Sequence, residues 1–309
     1  MQQSLVSQGA RALVSRTLGT ERVLITGASG WLGRTTLDLI TPLELPTLAL
    51  AGRPRTIRIA GRDIQCQRWD DKSVAEFAPT MIVDCAFLTR DLVADMPLAD
   101  YIAANQMLTE RLLYATRLPS VRLALTISSG AAVYPGDALT DPVESNPYGY
   151  LKREAENRLN HTAAECGVAA VVARAWSISG AYVQKPQGYA LGSMILAAHE
   201  GRIHVTASGR VHRRYVLAEE LLALSMAEGS VGSATIDSGG ELVEIGELAR
   251  RIAAVVRPDA VITRAETDSQ TADSYHSDGL DWEKRCKTWK LESASLERQI
   301  ETTNRGLMS

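Results

Sequence analysis

The sequence predicts an α/β protein: a doubly wound parallel sheet with a smaller C-terminal α/β lobe. Three observations carry that expectation. Residues 23–33, VLITGASGWLG, run from strand-favouring residues through glycines at 27, 30 and 33 into a helix-compatible segment at 34–40. Short apolar runs at 47–51, 81–86, 123–127 and 168–174 follow, with helical patterns between several of them, as crossover connections require. The 309 residues can bury one large core plus a smaller lobe. We expect an N-terminal extension over 1–20, the sheet domain over 21–175, and mainly the smaller lobe over 176–309, with some segments returning to the sheet domain.

Composition narrows the ligand class. Charged residues are 22% of the chain and the net charge is −3, so no field draws nucleic acid or an anionic membrane. No apolar run approaches the roughly 20 residues that span a bilayer, and a soluble, cytoplasmic protein with a small-molecule ligand is expected. Residues 1–20 lack acids and carry Arg11 and Arg16 without a long apolar signal core, which predicts a helical extension beside the first strand. Cysteines 66, 85, 166 and 286 show neither Cys-x-x-Cys pairing nor metal-ligand spacing. They read as reduced structural thiols, with Cys85 and Cys166 in apolar surroundings, and no metal is expected.

The glycines of the first turn have separate tasks. Gly27 permits a sharp turn, Gly30 lets the backbone approach a pyrophosphate with no Cβ in the way, and Gly33 lets the helix press on its strand. A dinucleotide's negative charge then meets free amides at the helix N-terminus. Gly27, Ser29, Gly30, Trp31, Leu32, Gly33 and Arg34 are the candidate contacts. The helix stops near Thr41-Pro42, and the second strand, 47–51, ends at Gly52-Arg53-Pro54-Arg55. An acid there accepts from a ribose 2′-hydroxyl and indicates NAD, whereas arginine pairs a 2′-phosphate and indicates NADP. Arg53, with Arg34 and Arg55 nearby, makes NADP the first choice and NAD the second; solvated surface charges are the competing reading.

Alternation of Ile57, Ile59, Ile64 and Cys66 about Gly61 predicts a hairpin or a third strand with an irregular lead-in. It ends at Trp69-Asp70-Asp71, where either acid suits a helix N-cap. The fourth strand, 81–86, opens into a loop containing Pro97. A helix over 98–116 follows with Asn105 in its middle, where asparagine weakens a helix unless its amide has other work. The fifth strand delivers Ser128-Ser129-Gly130 at the sheet end where parallel sheets bind ligands. The next helix starts with Asn146 as cap and Pro147 first, so Tyr148 and Lys152 stand one turn apart on one face. A tyrosine pKa of about 10 must fall by roughly 3 units, about 4 kcal/mol, to exchange protons near neutrality. A lysine ammonium and the positive end of the helix both favour the phenolate, and Ser129 would hydrogen-bond the substrate oxygen. Downstream, a helix over 189–200, short strands within 203–215 and an amphipathic helix from 245 to 256 are expected.

The Thr-Gly-x-x-Gly-x-x-Gly turn, Ser129 and Tyr148-x-x-x-Lys152 together resemble the extended short-chain dehydrogenase/reductases, within the NAD-dependent epimerase/dehydratase family of nucleotide-sugar enzymes. The resemblance covers nearly the whole chain after residue 20 and implies a Rossmann-type sheet. NQMLTERLLYA matches the family's Asn-x-x-Gly-Thr-x-Asn-Leu-Leu at Asn105, Thr109, Leu112 and Leu113. That implies a role for Asn105 in holding a proton-relay water near Lys152, with a solvated helix face as the alternative. Asp70 falls where the family meets the adenine edge; Ala86, Tyr148 and Lys152 complete the expected cofactor contacts. SSGAAVYP is one residue longer than the family's Ser-Ser-x-x-Val-Tyr-Gly, so the serine is Ser129 or, second, Ser128.

Departures shape the expected reaction. Gly130 and Ala131 replace the Asp-Glu pair of 4,6-dehydratases, and the cysteine of enzymes that also epimerise beside the ketone is missing. Simple hydride transfer is left. ARAWSISG resembles Arg-x-x-Asn-x-x-Gly and places Arg174 and Ser177 among substrate contacts, with Ser177 in the asparagine's place. HRRYVLAEELLAL implies that Arg213 grips the substrate's phosphates, an ion pair with Glu219 or Glu220 being the alternative. The resemblance thus implies a 4-ketoreductase or 4-epimerase of a nucleotide-linked sugar, working as a homodimer through the helices of Asn105 and Tyr148. A catalytically silent NADP-sensing protein of the same fold, or a reductase of a non-sugar ketone, are the alternatives.

Overall fold

A computed structural model of the chain describes residues 4–134, 142–265 and 272–309. The strands are β1 (Val23–Thr26), β2 (Thr47–Leu50), β3 (Arg55–Ile59), β4 (Arg62–Gln67), β5 (Met81–Asp84), β6 (Leu123–Ser129), β7 (Ala169–Ala175), β8 (Ile178–Ser179), β9 (Arg202–Val205), β10 (Arg210–Leu217), β11 (Ala234–Asp237), β12 (Glu241–Glu244), β13 (Val261–Arg264) and β14 (Ala272–Ser274). The helices are α1 (Gln8–Thr17), α2 (Trp31–Ile40), α3 (Asp71–Phe77), α4 (Leu98–Thr116), α5 (Pro147–Cys166), α6 (Ala190–His199), α7 (Ala218–Gly229), α8 (Ile245–Val256), α9 (Leu280–Trp289) and α10 (Leu296–Leu307).

Eight strands form one Rossmann-type sheet in the order β11-β7-β6-β5-β1-β2-β4-β3. All its pairings are parallel except the β3–β4 hairpin, whose turn uses Ala60 at φ 47° and Gly61 at φ 81°. The chain leaves β1 toward β2 on one side and returns to β5 on the other. A crevice at the strand ends follows from that reversal. Both faces of β1 are covered, which is why it reads as an unbroken apolar run. Val23 and Ile25 join a core shared with α2, α7 and α1; Leu24 joins a second core under α4 and α5.

The extension is helical, as expected, but α1 packs on α7 and α2 and not beside β1. Ala10, Leu13 and Val14 are its buried stripe, and those two helices cover that face of the sheet before α1 can reach it. The segments that return to the large sheet are α7, β11 and α9; Trp282 and Cys286 of α9 are buried in the main core. The smaller lobe has its own core from α6, β9, β10, α8 and α10, including Ile195, Leu248, Ile252 and Ile300. Cys166 corrects an expectation, being exposed at the end of α5. Among the described residues, no helix is long and apolar enough to cross a membrane.

Candidate active site

The turn after β1 is built to leave an anion site open. Gly27 has φ 61°, and a Cβ there would lie 2.7 Å from the Cys85 backbone. A Cβ on Gly33 would lie 2.3 Å from the Gly27 carbonyl oxygen, so only glycine lets α2 press on the turn. Gly30 is the N-cap of α2 and makes no side-chain cap, which leaves the first-turn amides for a ligand's negative charge. The cradle therefore fits a dinucleotide pyrophosphate. Ser29 contributes its carbonyl, which accepts from Arg34 Nε at 3.0 Å and from Gln184 Nε2 at 2.8 Å. Trp31, 9% exposed, meets the edge of Tyr189 at a ring separation of 5.3 Å, and Leu32 packs against the main core. The loop bearing Gln184 and Tyr189 thus lies against the turn, a contact between distant segments that has no local pattern in sequence.

A second cluster gathers at the ends of β5 and β6. Ser129 closes β6 and caps a short turn by accepting from the Ala131 amide at 3.2 Å. Asn146 caps α5 by accepting from the Gly149 amide at 3.1 Å. A Cβ on Gly149 would fall 2.3 Å from the Ala131 carbonyl oxygen, so glycine brings the first turn of α5 down on the Ser129 turn. Tyr148 is thereby brought beside Ser129, whose hydroxyl opposes the rise of its phenol. Ser128 points the other way and donates to Glu156. The alternation of a strand separates the two serines, and Ser129 is the one facing Tyr148.

Lys152 lies beneath, 7% exposed, with Nζ donating to the Ile127 carbonyl at 2.7 Å and standing 3.7 Å from the centre of the Phe87 ring. Burial pushes its pKa down to about 8, against the nearby Asp84, Cys85 and Glu156. Tyr148 differs from the sequence expectation. Burial holds its phenol above the ordinary tyrosine range, with the Ser129 hydrogen bond pulling the other way and the Tyr275, Tyr101 and Tyr189 phenols adding to the rise. The reason is that desolvation of the phenolate outweighs what the Ser129 hydroxyl returns.

Residues 23–227 match the NAD dependent epimerase/dehydratase family. The chain belongs to that family. A UDP-glucose 4-epimerase from Thermotoga maritima, solved with UDP-glucose, has a similar fold: TM-score 0.74, 17% identity, covering 93% of this chain and 98% of that one. A UDP-glucose 4-epimerase from Brucella ovis in complex with NAD gives TM-score 0.72 and 21% identity over 92% of this chain and 98% of that one. A UDP-N-acetylglucosamine 4-epimerase from Methanobrevibacter ruminantium, with UDP-N-acetylmuramic acid, gives 0.73 and 14% over 94% and 99%. No curated protein sequence matches the chain.

Within this chain of the epimerase/dehydratase family the remaining expected residues are spread over several elements. Arg53 is exposed past β2 and makes no hydrogen bond or ion pair among the described residues. Arg34 and Arg55 are close enough to Cys66 to oppose the rise that burial gives its thiol. Asp70 is the N-cap of α3, accepting from the Ser73 amide at 2.8 Å and its hydroxyl at 2.6 Å; these bonds hold its carboxyl below the usual range. Ala86 follows β5, its amide bonded to Thr26 Oγ1 at 3.2 Å. Asn105 is 1% exposed, which removes the solvated-face alternative. Its amide oxygen accepts from Leu88 N at 2.8 Å, which positions the loop after β5, while its nitrogen donates to the Tyr101 carbonyl one turn back in α4 at 3.2 Å.

Arg174 and Arg213 are partnered. Arg174 makes a half-buried ion pair with Glu156 at 2.7 Å and approaches Asp237 at 3.6 Å. Its guanidinium braces β7 against α5, and Ser177 stands in the bend between β7 and β8, its carbonyl accepting from Val216 N. Arg213 pairs with Asp273 at 2.6 Å and not with Glu219 or Glu220, because α7 buries both acids in the core. It also lies 5.6 Å from the centre of the Tyr275 ring. Tyr275 is the residue that sequence reasoning missed: its hydroxyl is 3.1 Å from Ser129 Oγ. Its ring packs on Trp176 at 4.9 Å and on Tyr134 at 5.4 Å. Trp176 is pinned by Asp237, which accepts from Nε1 at 2.7 Å, and fills the space over Gly130, where a Cβ would lie 2.3 Å from its ring. An aromatic at 275, some 150 positions from the serine, carries no local signal.

Proposed function

We propose that the chain is an NADP(H)-dependent oxidoreductase that reduces the 4-keto carbon of a nucleotide-linked sugar, and runs the reverse oxidation. The observation that carries this reading is the convergence of Ser129, Tyr148 and Lys152 beside an uncapped glycine turn. A bound nicotinamide supplies or accepts the hydride. Ser129 donates a hydrogen bond to the substrate oxygen, Tyr148 passes its proton to that oxygen as carbonyl becomes alcohol, and Lys152 steadies the phenolate left behind. Arg213 turns toward the diphosphate once Asp273 releases it. Dehydration has no second acid to work with, since Gly130 and the packed Trp176 hold that ground.

Arg53 supports NADP(H), as an unengaged guanidinium at the ribose end of β2. Fluorescence titration should give tighter NADPH than NADH binding in the parent, and Arg53→Ala should weaken NADPH by about tenfold while leaving NADH alone. Equal affinities in the parent would remove the basis for this choice. A 4-epimerase holding NAD is the second reading, favoured by the similarity to solved 4-epimerase folds. Incubation with a panel of nucleotide sugars and their 4-keto forms separates the two: net NADPH consumption identifies the reductase, inversion without consumption the epimerase. If neither occurs, and Tyr148→Phe binds cofactor as the parent does, both enzymatic readings fail and a cofactor-sensing role takes their place.

A further inference from the structure

Asp84 ends β5, lines a cavity that Lys152 also lines, and has no part in the steps above. The residue is 8% exposed. One carboxylate oxygen accepts from Thr26 Oγ1 at 2.5 Å and the other from Thr126 Oγ1 at 2.9 Å. Asp84, Thr126, Glu156 and Lys152 line one small cavity of about 10 Å³, room for the centre of a single water. An acid in the middle of a parallel sheet is costly unless something nearby wants its charge. The hydroxyls of Thr26 and Thr126 satisfy its hydrogen bonds, and among the described residues that line the cavity the only ammonium is that of Lys152.

We propose that Asp84 is a positioning residue that keeps Lys152 an ammonium ion at the pH where Tyr148 exchanges its proton. This rests on the reading of Tyr148 and Lys152 as the acid/base pair. Among the described acids that act on Lys152, Asp84 is the largest influence and has no arginine partner. Glu156, from α5, is paired with Arg174 of β7. The Cys85 thiol is pushed up to about 12 by burial and by Asp84, so it stays neutral. Ile127 offers only a carbonyl and Phe87 only a ring face. Around Tyr148 stand the hydroxyl of Ser129 and the neutral phenols of Tyr101, Tyr189 and Tyr275, none of which carries a charge. Asp84 is thus the largest influence holding the lysine pKa up against its burial. Burial raises the Asp84 carboxyl in turn, and Thr26, Lys152, Thr126 and the Ala86 amide oppose that rise.

The test reads Lys152 directly, by NMR titration of lysine side-chain nitrogens in the full chain, with the signal assigned by its loss in Lys152→Met. Asp84→Asn, which keeps shape and removes charge, should move the Lys152 midpoint down by about one pH unit or more. Asp84→Glu, whose added methylene enters the cavity, should leave it near the parent value. Thr126→Val keeps Asp84 but removes a donor to its charged form, and should move the midpoint the same way by less. It serves if Asp84→Asn does not fold. In turnover, the alkaline limb of the kcat profile should shift to lower pH in Asp84→Asn, whereas a merely structural defect lowers kcat equally at every pH. A Lys152 midpoint unmoved in Asp84→Asn, or in Thr126→Val where that variant stands in, overturns the proposal. If the parent turns over no nucleotide sugar, the functional reading fails while the titration still reports on Asp84 and Lys152.

Discussion

Tyr275 takes the hydrogen bond on Ser129 that a substrate oxygen is expected to take, so ligand and tyrosine compete for one hydroxyl. A typical hydrogen bond contributes about 1 kcal/mol net. Tyr275→Phe is therefore expected to tighten nucleotide-sugar binding by about fivefold, read by calorimetry at one fixed cofactor concentration. Weaker binding would mean that the phenol helps hold the substrate. Gly130 makes a second residue-scale case. A Cβ there would fall inside the contact distance of a Trp176 ring that Asp237 and the neighbouring backbone bonds hold in place. Gly130→Ala should cost about 1–3 kcal/mol by overpacking, measured as a lower urea midpoint with unchanged slope. A midpoint equal to the parent's would show that Trp176 swings away freely.

At the scale of the element, α7 carries a conflict that its position in the core creates. Glu219 and Glu220 open the helix, where acids suit the dipole, yet both are buried, and burial pushes Glu219 up to about 7 and Glu220 up to about 8. Glu220 accepts from the Ala294 amide at 2.8 Å, and the Ser7 amide of the N-terminal extension opposes the rise at Glu219. Oε1 of Glu219 and Oε2 of Glu220 have no hydrogen-bond partner among the described residues. The unfolded chain gives these protons up near the ordinary carboxylate pKa while the folded chain keeps them. Their contribution to stability is therefore full below that value and is lost as pH rises through about 7 and 8. Glu219→Gln should flatten this decline, gaining on the parent by about 3 kcal/mol between pH 5 and pH 8. Urea melts of both proteins at the two pH values decide it: a parent–variant gap that stays constant rules the assignment out.

On the scale of the whole molecule, α4 and α5 lie side by side on one face of the sheet and expose Met107 and Tyr150. Pairing of two copies through these helices is the expected assembly, and light scattering at micromolar concentration should return twice the mass of the 33.5 kDa chain. A single-chain mass would count against it. Much of this molecule is legible along the chain because its elements are local. Three glycines at fixed spacing force one turn geometry, buried parallel strands must read as apolar runs, and Asn146-Pro147 both caps α5 and sets Tyr148 one turn before Lys152. What tertiary structure decided is what crosses between segments. Strand alternation did speak for Ser129 over Ser128, but only once the face of β6 that meets α5 was known. Burial, which depends on every neighbour at once, raised the Tyr148 phenol where local charges argued for a fall. The partners of Arg174 and Arg213, the reach of Tyr275 to Ser129, and the aspartate facing Lys152 across one water-sized cavity are long-range contacts. Sequence periodicity records which face of an element is covered, and it holds no record of which distant side chain covers it.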